Sequence, residues 1–314
     1  MQRLLLASCI LAILVFNAMG NIAVGDERGK EETIPPTRGA VFSETNTEME
    51  FIFVKGGCYE MGDTFHGKEG KAPSYHPIYL EDYVPATYDE PAHEVCVSDF
   101  YLGKHEVTNR QYRRFALETG GHLPEWDEKE SPYNIYTGGN EHYAIMGDAL
   151  TADDHPVVGI SWHDAVAFTE WLSGKTGRTF QLPTEGQWEF AARGGGKKEK
   201  WAGTNDLSLL SKYAWFALNA NGKTQAVGKK LPNGLGFYDM SGNVWEWCQD
   251  WYGDRYYGSS PRNNPQGPPA GTMRVLRGGS WIGIPATVRT TNREWGYPSS
   301  RTSVYGFRVA MPAR

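Results

Sequence analysis

Between Gly236 and Trp251 the chain reads G-F-Y-D-M-S-G-N-V-W-E-W-C-Q-D-W, which sets two carboxylates, Glu246 and Asp250, and a thiol, Cys248, among Trp245, Trp247 and Trp251. A carboxylate between large apolar rings must stay in water, find a cation or take up a proton. Simple strand alternation would bury the tryptophans and leave the acids wet. A core strand that also holds a charge partner is the alternative. A second group of chemically able residues follows toward the C-terminus. Trp281, Arg289, Asn292, Arg293, Trp295, Tyr297, Arg301 and Tyr305 interleave aromatic rings with guanidinium groups, which suits a polar ligand with flat or anionic parts. The competing role for Arg289 and Arg293 is to hold buried acids such as Glu189 and Glu246. His93, His105, His155 and His163 are scattered among structural motifs and read as structural. No Ser-His-Asp order, phosphate loop or zinc spacing is present.

The elements that must position these groups are short. Thr108-x-x-Gln111 is a capping box that predicts a helix through Tyr112, Phe115 and Ala116, stopping at Gly120-Gly121. Ser161-x-x-Asp164 opens a second through Ala165, Phe168, Trp171 and Leu172, with Gly174 as its stop. Thr184-x-x-Gln187 opens a third from Trp188 to Arg193, ended by three glycines. Phe51 to Met61 reads as a strand bent at Gly56-Gly57, residues 63 to 92 as a long surface loop, and His93 to Tyr101 as a second strand. Few helices, many turns and abundant aromatics point to an irregular α+β domain.

Residues 1–20 carry a basic start at Arg3, an apolar run from Leu4 to Phe16 and a small-residue exit at Ala18-Met19-Gly20, the pattern of a cleavable signal peptide. The expectation is a periplasmic or secreted protein, not an integral membrane protein, with residues 21–50 as a disordered leader or tether and 51–314 as one domain. Removal of the signal leaves 30 Lys and Arg against 37 Asp and Glu, a net charge of about −7, which disfavours a nucleic-acid partner. It also leaves Cys58, Cys96 and Cys248. An odd count leaves one thiol unpaired, and spacing alone does not choose the pair.

Read together, G-G-C-Y-E-M-G-D (56–63), H-E-V-C-V (93–97), H-E-V-T-N-R-Q-Y (105–112), H-P-V-V-G-I-S-W (155–162), L-P-T-E-G-Q-W-E-F-A-A-R (182–193), G-N-V-W-E-W (242–247), R-G-G-S-W (277–281) and G-F-R-V-A (306–310) resemble the formylglycine-generating enzyme, or sulfatase-modifying-factor, family. The phrases run in family order. The resemblance implies an irregular fold related to C-type lectins, poor in regular secondary structure. It further implies calcium beside the tryptophan strand, held by the carbonyls of Ser241, Gly242 and Val244 and the Glu246 carboxylate, an oxygen set that suits a hard cation. A second family calcium uses an upstream Asn and Asp; no Asp lies between Ser208 and Tyr238, although Asn219 and Asn221 offer oxygens. The placement of both segments near the start of the family domain implies a Cys58–Cys96 disulfide, with Cys248 a buried thiol.

Family members that make formylglycine bind copper(I) through two cysteines just beyond G-G-S. Here Trp281 to Arg293 contains no cysteine, so copper is not expected. The tail is more similar to cysteine-pair-free members such as the periplasmic maturation protein for pyoverdine siderophores. That similarity implies a non-copper tailoring enzyme, oxidative or not, acting on a peptide, protein or small molecule outside the cytoplasm. The alternative is a C-type-lectin-like binding module, fixed or diversified by a retroelement, whose variable segment matches Ile282, Gly283, Ile284, Trp295, Tyr297 and Thr302 to Tyr305. Formylglycine generation itself is disfavoured by the missing cysteines.

Overall fold

The computed structural model describes residues 39–65, 89–137 and 141–313. Among these residues ten strands run in order: β1 (Val41–Glu44), β2 (Met49–Val54), β3 (Gly57–Met61), β4 (His93–Val97), β5 (Phe100–Gly103), β6 (Trp245–Trp251), β7 (Arg274–Arg277), β8 (Arg293–Gly296), β9 (Tyr305–Gly306) and β10 (Ala310–Pro312). Five α-helices accompany them: α1 (Asn109–Thr119), α2 (Glu141–Ala144), α3 (Trp162–Thr176), α4 (Glu185–Ala192) and α5 (Leu210–Tyr213). The strands form three sheets, in the orders β1-β2-β5-β10, β3-β4 and β8-β7-β6-β9. Short elements in separate sheets are what the sequence led one to expect of an irregular α+β domain.

Each expected helix start is in place. Thr108, Ser161 and Thr184 accept hydrogen bonds from the backbone N–H groups of Gln111, Asp164 and Gln187, and each of those side chains accepts one back from its N-cap N–H. Helix α3, however, passes through Gly174 and stops at Gly177, which takes the left-handed conformation of a C-cap. A lone glycine inside a well-capped helix costs about 1 kcal/mol, too little to end it.

The two bent strands of the sequence are each divided between two sheets. Beyond Val54 the backbone leaves β2 for β3, and beyond Val97 it leaves β4 for β5. Gly56 makes the division possible, since a Cβ there would lie 2.2 Å from the Val97 carbonyl oxygen. Asp99 secures the corner by accepting from the Gly56 N–H at 2.9 Å.

Ordered structure begins earlier than the expected boundary at residue 51. Strand β1 pairs antiparallel with β2, and Phe42 packs against Phe51 with ring centroids 6.1 Å apart. The leader reading therefore fails for residues 41–50, where one aromatic contact and a strand ladder outweigh a polar composition. Residues 1–20, with the proposed signal, lie outside the described residues. Most of the expected 63–92 loop, residues 66–88, does too. No helix among the described residues is long and apolar enough to cross a membrane.

Candidate functional site

Strand β6 is buried on both faces. On one, Trp245 and Trp247 pack with Leu276, Phe168, Leu172 and Phe307; on the other, Cys248 and Val275 pack with Trp188, Phe190 and Tyr257. Simple alternation with wet acids is therefore overturned: Glu246 is 0% exposed and Asp250 2%. The two acids resolve their burial differently. Glu246 is clasped by Arg308, whose Nε donates to Oε2 at 2.6 Å and Nη2 to Oε1 at 2.7 Å, while Trp188 Nε1 donates to Oε2 at 2.7 Å. Asp250 has no such cation. Burial, and then the charge of Glu185, push it up to about 8, so it is mostly protonated at neutral pH.

The arginines of this sheet meet the acids of α4. Glu185 accepts from Arg293 Nε at 2.5 Å and Nη2 at 2.9 Å and from the Tyr257 hydroxyl at 3.1 Å. Glu189 binds Arg277 and Arg193. Burial raises Glu185, but Arg293 and Arg277 more than reverse the effect and hold it below the ordinary carboxylate range. Buried pairs of this kind are geometry-setting more than stabilising.

The Gly242–Val244 turn is closed by Glu106, which accepts from Asn243 Nδ2 at 2.6 Å and from the Val244 N–H at 3.2 Å. Glu246 is not the free carboxylate expected for calcium, because Arg308 already neutralises it. The vacant oxygen lies two residues before Ser241. Asp239 is 2% exposed, its Oδ1 has no hydrogen-bond partner, and burial raises its pKa to about 6. A buried carboxylate oxygen without a hydrogen-bond partner is a donor that suits a hard cation. Among the described residues no group of three or more His, Cys, Asp or Glu side chains is placed to hold a metal.

The eight proposed recognition residues do not form one surface. Arg289 is buried against Asp63, at 3.2 Å, and Asp89, at 3.4 Å, and Arg293 against Glu185. Trp281 and Asn292 are buried and donate to the carbonyls of Ser303 and Thr287. Trp295 pairs across the sheet with Val275 and approaches Tyr252, whereas Tyr305 stacks edge-on to Trp247, so these two lie on opposite faces. Tyr297 is exposed. Arg289 and Arg293 do hold buried acids, but not the expected Glu189 and Glu246, which are held by Arg277 and Arg193 and by Arg308.

Arg301 leads elsewhere. Its Nη1 donates to Glu128 Oε1 at 2.6 Å and its Nη2 lies 3.0 Å from Asp164 Oδ2. The other oxygen of Asp164 is 3.0 Å from Nδ1 of His122. Burial raises Asp164, but hydrogen bonds from Ser161 and His122 and the charge of Arg301 outweigh it, so the carboxylate stays ionised. Beside this ionised carboxylate His122 Nδ1 is the donor, which leaves Nε2 as the acceptor. The ring is 43% exposed on its side chain, stacks on Phe115 at 5.4 Å, and stands on a backbone with φ of 59° whose carbonyl accepts from the Tyr112 hydroxyl at 2.7 Å. A non-glycine residue held at positive φ by several contacts marks a position that the surroundings over-determine. His122 was missed in the sequence because it sits in a Gly-Gly-His loop, 42 residues from its carboxylate.

Just beyond R-G-G-S-W the backbone is tightly packed. A Cβ at Gly283 would lie 2.8 Å from Thr287 Oγ1 and 3.0 Å from Val288 Cγ1. Cys58 and Cys96 are joined as a disulfide, and Cys248 is a fully buried thiol that burial pushes well above its ordinary pKa.

Comparison with known proteins agrees with this frame. A family model for the sulfatase-modifying factor enzyme 1-like domain matches residues 37–313. The chain is 37% identical over 227 residues to a serine/threonine-protein kinase of Chlamydia pneumoniae, covering 70% of this chain and 34% of that protein, so it spans only about a third of that relative. It is 32% identical over 300 residues to the formylglycine-generating enzyme of Streptomyces coelicolor, covering 83% of this chain and 89% of that one. Among solved structures, Treponema denticola variable protein 1 superposes with a TM-score of 0.67 at 27% identity, over 87% of this chain and 99% of the other. The chain belongs to the FGE-sulfatase family, with an irregular C-type-lectin-like fold and without the family's copper-binding cysteine pair.

Proposed function

We propose that the chain is an exported, non-copper member of its family that tailors a peptide or small molecule by proton transfer, at the surface around His122, Asp164 and Arg301. The observation that supports this reading is an imidazole whose tautomer and orientation are set by a buried carboxylate, with its second nitrogen unspent. The similarity to formylglycine-generating enzymes favours an enzyme. The residues of this site supply acid–base chemistry, and the step proposed for them is a proton transfer. In a hydrolytic version, Nε2 takes a proton from water as the oxygen attacks a carbonyl carbon, then returns it to the leaving group. Hydrolysis of p-nitrophenyl acetate should fall by about a hundredfold or more in His122→Gln, the size of general-base effects, at unchanged melting temperature. Equal rates would sink the catalytic reading. They would favour a lectin-like binding module instead, which the exposed Tyr297 and the likeness to a variable protein support.

Calcium enters this proposal as a structural ion held by Asp239 and the carbonyls of Ser241, Gly242 and Val244, where it would neutralise a buried acid. A ligand that binds only the folded state raises stability by mass action. Chelator is therefore expected to lower the melting temperature, by about 2–4 °C for each kcal/mol lost, and Asp239→Asn should abolish the response. Glu246→Gln is the poorer probe, because it strands Arg308 whether or not calcium binds. A melting curve indifferent to chelator would remove the ion from the proposal.

A further inference from the structure

The disulfide lies outside the site just described and differs from an ordinary core staple. Cys58 and Cys96 stand directly opposite each other on β3 and β4, with Cα atoms 3.9 Å apart. Cys58 is exposed and Cys96 half-buried, both on the outer face of the hairpin. The inner face, formed by Tyr59, Met61, Val95 and Val97, is buried, and Tyr59 packs on Phe190 of α4 at 5.3 Å. On its free edge β4 is held by the segment 262–264: Cys96 N–H donates to the Arg262 carbonyl and Asn264 N–H to the Cys96 carbonyl, both at 2.7 Å. The hairpin thus has a packed face and backbone partners on both sides of Cys96, none of which needs the S–S bond. From the same segment Arg262 reaches over the bond, with Nη2 3.9 Å from Cys58 Sγ, while its guanidinium is steadied by Glu94 at 2.6 Å.

We propose that Cys58–Cys96 is an exchange site for low-molecular-weight thiols. The incoming thiolate attacks the exposed Cys58 sulfur, the S–S bond breaks, and Cys96 leaves with the electron pair as a thiolate that water protonates. The product is a mixed disulfide on Cys58 beside a free Cys96. Cys96 remains in register, so its thiolate expels the adduct and re-forms the bond, or a second thiol completes reduction to the dithiol and departs as its own disulfide. Arg262 guides the anionic thiolate to Cys58.

Glutathione is the probe. The folded protein is incubated with graded ratios of reduced to oxidised glutathione at pH 8, quenched with iodoacetamide and mapped by mass spectrometry. The expected species carries glutathione on Cys58 and the alkyl group on Cys96, and near-ultraviolet circular dichroism stays native. Arg262→Gln should slow its formation several-fold with little change in melting temperature, and Arg262→Lys should restore much of the rate. Opening only in denaturant, an adduct mainly on Cys96, or collapse of the native spectrum on opening would each show the bond to be a staple and overturn the proposal. An unchanged rate in Arg262→Gln would overturn the part given to Arg262.

Discussion

Replacing Arg308 by methionine is expected to destabilise the protein by about 3–5 kcal/mol, the range for removing one partner of a buried ion pair. The reason lies in what is left behind. Glu246 would keep only the Trp188 indole N–H, with no solvent to share its charge, and the carbonyls of Gly103 and Tyr238 would lose the donors that Arg308 now gives them. Glu246→Gln should be similarly harmful, since it leaves the guanidinium buried and uncompensated. The double variant Glu246→Gln with Arg308→Met should cost less than the sum of the singles, with a coupling of roughly 0.5–3 kcal/mol. Urea unfolding of the four proteins is the measurement. A loss of under about 1 kcal/mol in Arg308→Met, set against that range for a buried pair, would mean that water reaches Glu246.

The second large effect is on pH. Asp250 titrates near 3.8 when unfolded and is raised to about 8 in the fold by burial and by Glu185. Between these values the folded state holds a proton that the unfolded state has released, so stability falls as pH rises. The contribution is fully present below about pH 4 and is lost by about pH 8, at up to roughly 1.4 kcal/mol per unit. Asp239, raised to about 6 when no cation is bound, acts in the same direction over the lower part of that window in calcium-free buffer. Asp250→Asn copies the protonated acid and keeps an oxygen to accept from the Glu185 N–H, as Asp250 now does at 2.9 Å. Its melting temperature should therefore decline much less from pH 6 to 8 than that of the unaltered protein. Parallel curves for the two would show that Asp250 is ionised throughout.

How much of this could be read in advance depended on the reach of each signal. The three capping boxes are local, four residues each, and placed the starts of α1, α3 and α4 correctly. The family phrases placed the fold and the cysteine pairing, which spacing alone left open. What failed was long in range. Whether Glu246 faces water or a guanidinium is decided by Arg308, 62 residues away, and by a helix packed on the far side of the sheet. Period-two alternation describes a strand with one wet face, and it has no term for a strand buried between two layers. The Asp164 carboxylate was legible as a cap but not as the partner of His122, because the loop that brings the imidazole back carries no pattern of its own. Arg289 and Arg293 had the right role and the wrong acids, since composition can show that acids need cations without pairing them.

Helix α4 carries Glu185 and Glu189 between Arg293, Arg277 and Arg193, and this arrangement bears on how the molecule comes apart. A helix held by apolar contacts alone can fray from its sheet and expose only oil. Helix α4 cannot detach without leaving two guanidinium groups of β7 and β8 in a dry layer with no counter-ion, a penalty borne by the sheet. Partial opening is thereby made nearly as costly as complete opening. Helix and sheet should behave as one unit of exchange, their amides released to solvent together and at the rate of the whole domain.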